Sequence, residues 1–156
     1  MLEVFVSRPN WLAPEFVQGL NTFYTYLKVL GVNPRTLGVS DYPSGSPLDE
    51  VIGLVDECAG AIILGYPQIV VQTGAIKGNA LAAPLTLGTE WNHMEAALVH
   101  AQKKPLLVIH HTGVSRGIFE RGTFGAFVHE YDLTNPQWVM AEALVGAMNS
   151  WKKKCA

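Results

Sequence analysis

The chain has 156 residues, about the size of one domain. Apolar residues make up 49% and charged residues 15%, which excludes a disordered chain and suits a sheet covered on both faces. A net charge of −2 gives no electrostatic footprint for nucleic acid, and the apolar runs are of strand length, too short to span a membrane.

Leu2–Ser7 (LEVFVS) predicts a first strand. No basic segment followed by an apolar one precedes it, so the expectation is a cytoplasmic protein without a signal peptide. Residues 14–30 predict a helix, with Pro14 in the first turn, Gly31 just past the end, and an apolar stripe from Phe16 to Leu30. Residues 35–40 read as a second short strand, followed by a loop at 41–46. Ser46 is the expected N-cap of the next helix, with Pro47 at its first position and Asp49 three residues after the cap. That helix is expected to run to about Ala59 with Leu48, Val51, Ile52 and Val55 inward. Gly60–Gly65 (GAIILG) is continuously apolar, as expected at the centre of a parallel sheet.

Residues 68–88 break the rhythm. They are rich in Gly, Ala and Thr without clear period and predict a long loop, a lid or a partner surface. Thr89 is the expected cap of a helix running to about Gln102, and residues 105–111 (PLLVIHH) predict the fourth strand. An irregular connection at 113–125, with a short helix near 115–121, leads to a fifth strand at 126–131. Residues 136–152, capped by Asn135, predict the closing helix, whose Lys152, Lys153 and Lys154 complement its dipole. Such alternation implies an α/β fold: a five-stranded, doubly wound parallel sheet of flavodoxin type in three layers. Ligands in such sheets bind beyond the carboxyl ends of the strands, which singles out the loops starting at Ser7, Asp41, Tyr66 and His110.

Glu95 lies four residues after Trp91, so the two share a helix face. Met94 and Leu98 border them, and position 99, where a lysine would form the usual exposed pair, is Val. A carboxylate at the edge of an apolar stripe is costly unless it has hydrogen bonds or work to do. The turn after the first strand, Ser7-Arg8-Pro9-Asn10-Trp11, lacks the glycines of a dinucleotide or phosphate loop. Arg8 could meet a phosphate or form a surface ion pair, and Trp11 could stack on a base or cover the core. The five histidines do not have metal-ligand spacing, and no metal is expected. His110 and His111 alternate faces of a strand, so one of them can enter a cleft. Cys58 and Cys155 fit no disulfide or zinc pattern, and no GxSxG elbow supports acyl transfer.

Val4-Phe5-Val6-Ser7, the loop Asp41-Tyr42-Pro43-Ser44-Gly45, Cys58 through Tyr66, and above all Trp91-Asn92-His93-Met94-Glu95 resemble, in order, the motifs of Toll/interleukin-1 receptor (TIR) domains of the NAD-cleaving type. The last of these matches the WxxxE helix, with Asn92 where Cys is common. Arg116 and Gly122-Thr123-Phe124-Gly125 with Phe127 resemble the later loops of plant-type members. The resemblance spans nearly the whole chain, and residues 68–88 depart from it. It implies a single TIR-like domain that cleaves the nicotinamide–ribose bond of NAD⁺ as a glycohydrolase or ADP-ribosyl cyclase, in bacterial immune and antiviral nucleotide signalling. NAD⁺ enters as substrate, no cofactor is implied, and the active state is expected to be a homo-oligomer. The implied catalytic residue is Glu95. The implied substrate-binding residues are Ser7, Arg8, Trp11, Asp41, Tyr42, Tyr66, Trp91 and, of the two strand histidines, His111. Gly88-Thr89 ahead of Glu95 and Lys104-Pro105 before the next strand also resemble nucleoside 2-deoxyribosyltransferases, which share the fold and use a nucleophilic glutamate. A non-catalytic TIR scaffold is the third reading.

Overall fold

A computed structural model describes residues 1–123 and 127–156. Five parallel strands form the central sheet: β1 (Leu2–Ser7), β2 (Val32–Arg35), β3 (Gly60–Gly65), β8 (Leu106–His111) and β9 (Val128–Tyr131), in the order β2-β1-β3-β8-β9. Helices α1 (Pro14–Val29) and α4 (Glu142–Cys155) cover one face, and α2 (Pro47–Glu57) and α3 (Glu90–Ala101) cover the other. This is the expected doubly wound α/β fold, flavodoxin-like in strand order.

Strand parity divides the core. Val4, Val6, Ile62, Leu64, Leu107 and Ile109 face α1 and α4, and pack on Phe16, Leu20, Phe23, Leu144 and Met148. Phe5, Ala61, Ile63 and Val108 face α2 and α3. All six residues of β3 are buried, which is why that run carries no polar alternation.

Several elements differ from the sequence expectation. The second strand lies earlier, at Val32–Arg35, and contains Pro34, which an edge strand tolerates because one side of its backbone needs no ladder partner. After it the chain turns back on Thr36, whose carbonyl accepts from the amides of Val39, Ser40 and Asp41. Ser46 precedes α2 without a side-chain cap bond, and the helix buries Val51, Leu54 and Val55 while Leu48 and Ile52 face outward. The closing segment is a 3₁₀ turn (Trp138–Met140) followed by α4 from Glu142, so Asn135 does not cap the helix: its side chain accepts from the amide of Gln137, the residue just before the turn. Within the irregular connection the short helix is a 3₁₀ turn at Gly117–Phe119. The expected strand start at Ala126 and the Phe124-Gly125 motif lie outside the described residues.

The expected long loop is instead a two-tier hairpin arm. β4 (Ile69–Val71) pairs antiparallel with β7 (Leu85–Leu87), and β5 (Ala75–Ile76) pairs with β6 (Asn79–Ala80) at the tip. The tip turn is Lys77-Gly78, both at positive φ (51° and 80°), as in a type I′ hairpin turn. No helix among the described residues is long and apolar enough to cross a membrane.

Candidate active site

Thr89 sets where α3 begins. Its backbone is extended, its Oγ1 accepts from the Trp91 amide at 2.9 Å, and its own amide donates to Asn92 Oδ1 at 3.4 Å. From that start, Asn92 and Glu95 lie three residues apart on the face turned to the sheet, both buried. They come down on the carboxyl ends of β1 and β3, the adjacent strands from which the chain winds in opposite directions.

Glu95 opens into a cleft of about 340 Å³. Arg8, Pro9 and Asn10 from the turn after β1 form one wall; Leu37, Gly38, Pro43 and Pro47 from the segment between β2 and α2 form another. Gln68, Thr89 and Trp91 complete it. The loops following three strands therefore converge on one carboxylate. Gly38 sits at φ +79°, and a Cβ there would meet Asn10 Nδ2 at 2.9 Å, so this wall needs glycine for conformation and for room.

Burial pushes the Glu95 carboxyl up to about 7, a rise that the nearby Ser7 hydroxyl opposes. Among the described residues Glu95 forms no ion pair. Arg8 is the cation that shares its cleft, and its guanidinium is held by Tyr24 Oη (2.9 Å from Nε) and by the Pro9 carbonyl (2.9 Å from Nη1). Trp91, 40% exposed, presents its ring at the mouth one turn before Glu95.

The structure thus brings Glu95, Arg8 and Trp91 together. Ser7 is tied in behind them: it is buried, does not line the cleft, and accepts from Asn92 Nδ2 at 2.8 Å. The other expected binding residues stand apart. Tyr66 continues the parity of Ile62 and Leu64 onto the α1 face, where its ring meets Phe16 edge-on at 5.3 Å. His111 lies on that same face, its ring 4.9 Å from Phe16 and its Nδ1 accepting from the Leu133 amide. Its neighbour His110 faces the α3 side but packs against Phe119. Asp41 is engaged by Arg35 at 2.5 Å, which holds its carboxyl below the usual range. Tyr42 and Trp11 are 76% and 64% exposed and leave the lining to their neighbours Pro43 and Asn10.

Sequence reasoning missed Asn10, Gln68 and Gly38 as lining residues, and assigned Asn92 no role of its own. Only Asn92 had a signal, the Thr89-x-x-Asn92 spacing of a capping box. A larger hollow of about 630 Å³ lies at the opposite end of the sheet, between the start of β8 and α4; its lining carries Lys104, His129 and Lys154 and no carboxylate. Comparison with protein-family models and with curated proteins gives no match to this chain.

Proposed function

We propose that the chain breaks the N-glycosidic bond of a nucleotide, with NAD⁺ the foremost substrate and Glu95 the carboxylate that meets the sugar. One observation carries this reading. A desolvated carboxylate, in no ion pair among the described residues, faces a cleft at the switch point of a doubly wound sheet, with an arginine and an indole beside it.

In NAD⁺ the bond from C1′ to the pyridinium nitrogen breaks, and its electron pair leaves with nicotinamide, which becomes neutral. Positive charge passes to C1′ and the ring oxygen. A carboxylate fixed against that carbon stabilises the charge as it develops, and burial strengthens the interaction relative to water. Water then adds to C1′ and loses a proton, giving ADP-ribose; a nitrogen of the adenine, adding in its place, would give the cyclic product. Trp91 supplies an apolar wall for a base, and Arg8 suits the pyrophosphate.

Arg8 also separates the two enzymatic readings, because a deoxynucleoside has no phosphate for it. The test is incubation with NAD⁺ and with deoxynucleosides, following base release by chromatography, beside Arg8→Ala. NAD⁺ cleavage with KM raised about tenfold in the variant supports a nucleotide substrate. Base exchange on deoxynucleosides, unaffected by Arg8→Ala and without NAD⁺ cleavage, selects the deoxyribosyltransferase reading. No base release from any of them, at any protein concentration, leaves the scaffold. A homo-oligomeric active state belongs to this proposal and is checked in the same assay: specific activity rises with chain concentration.

A further inference from the structure

Among the described residues that line the cleft, Arg8 is the one cation, and no carboxylate pairs with it. Neutral groups hold it instead. Its Nε donates to Tyr24 Oη and its Nη1 to the Pro9 carbonyl, both at 2.9 Å. Its Cζ lies 5.8 Å from the centroid of the Tyr24 ring, within cation–π reach. The guanidinium is therefore fixed without being neutralised. Two of the five N–H groups of an arginine are spent on these bonds, and the others, both of Nη2 among them, are left to a ligand. Tyr24 reaches Arg8 because of how α1 is seated. Phe16, Leu20, Phe23 and Leu27 bury one stripe of that helix against the sheet, and Phe23 stacks on Trp138 with ring centroids 5.2 Å apart. The next residue stands at the flank of the stripe, half-buried, with its hydroxyl beside the turn that follows β1.

We propose that Tyr24 is a positioning residue for Arg8, and that Tyr24 and the Pro9 carbonyl present the guanidinium as an anion site for a phosphate of the substrate. The proposal rests on the reading of the Glu95 cleft as a nucleotide site, and it narrows the substrate class to phosphorylated nucleotides, leaving nucleosides out. A cation and a carboxylate line this cleft without pairing, and the hold on Arg8 accounts for it. A free guanidinium would be drawn to Glu95 and would neutralise the carboxylate. Held aside, it keeps its charge for the ligand. A planar fork fixed in advance also suits phosphate oxygens, and a ligand that meets it does not have to order a long side chain.

The test is calorimetric titration of wild type, Tyr24→Phe, Arg8→Ala and the double variant, with ADP-ribose, which carries a pyrophosphate, and with adenosine, which carries none. Tyr24→Phe keeps the ring on the core and removes only the hydroxyl that accepts from Arg8. ADP-ribose is expected to bind about fivefold more weakly to Tyr24→Phe and at least about tenfold more weakly to Arg8→Ala, whereas adenosine does not distinguish the four proteins. In the Arg8→Ala background, Tyr24→Phe is expected to change nothing further, because it acts through the cation. With NAD⁺, KM rises in Tyr24→Phe by the same factor while kcat stays within about twofold of wild type. ADP-ribose affinity unchanged in Tyr24→Phe, or weakened there as much without Arg8 as with it, overturns the proposal. So does a wild type that binds no ADP-ribose. Affinities that move as stated in a protein releasing no base from any substrate uphold the anion site and sink the glycosidic reading; base release from NAD⁺ with affinities indifferent to Tyr24 does the reverse.

Discussion

At the scale of single residues, the fold tolerates Glu95 at a cost. Its folded midpoint of about 7 lies above the ordinary glutamate value of 4.5. Between those values the native state holds more protons than the unfolded chain, so stability falls as pH rises from about 4.5 to about 7 and stays reduced above. Glu95→Gln removes this cost. It is expected to raise unfolding free energy by roughly 1–3 kcal/mol at pH 8 and to change it little at pH 4, a difference urea titrations at the two pH values will resolve. An equal effect at both would mean that the carboxyl is not desolvated. A residue that destabilises the fold only in its working protonation state is expected of a site retained for chemistry. Glu95, Trp91 and Arg8 were legible in the sequence because each is marked locally, by helix spacing or by its place after a strand. Tyr66 and His111 were misplaced because their faces follow from strand parity. Counting by twos puts Tyr66 with Ile62 and Leu64, and His111 with Leu107 and Ile109, but which helices cover that face is a tertiary fact.

At the scale of elements, α1, β3, α3 and β8 were readable within a residue or two, since each has its own period, cap or continuous apolar run. The arm between β3 and α3 was not. Its strands are two or three residues long and exposed or half-buried, so they carry no inward stripe, and its tip turn uses Lys-Gly where Asn-Gly is the stronger signal. Gln68, at its base, lines the cleft and reaches the Trp11 carbonyl at 3.3 Å, whereas residues 75–80 are not among those that line the cleft or form the core clusters. Replacing residues 75–80 by a two-residue turn between Gly74 and Leu81, already joined by a backbone hydrogen bond of 2.9 Å, is therefore expected to shift Tm by less than about 2 °C. Calorimetry decides this; a loss of 10 °C would mean that the tip is part of the fold. The same variant in a base-release assay asks whether the arm closes over substrate.

At the scale of the whole molecule, alternation along the chain implied a doubly wound sheet but not its strand order. The site depends on that order, because only with β3 beside β1 do Ser7, Asn92 and Glu95 converge. Gly65 shows how closely the layers meet there. A Cβ at this position would collide with the Phe119 ring and lie 2.8 Å from His110 Cβ. Gly65→Ala is expected to destabilise by about 1–3 kcal/mol in urea unfolding, since the ring it would meet, Phe119, is itself buried. The most direct measurement of the central claim is nicotinamide release from NAD⁺ at pH 8 by wild type, Glu95→Gln and Glu95→Ala, with each variant's fold checked by circular dichroism. If Glu95 meets the sugar, wild type releases nicotinamide and both variants, folded, lose at least about 100-fold in kcat/KM. Release by both variants at the wild-type rate would contradict it.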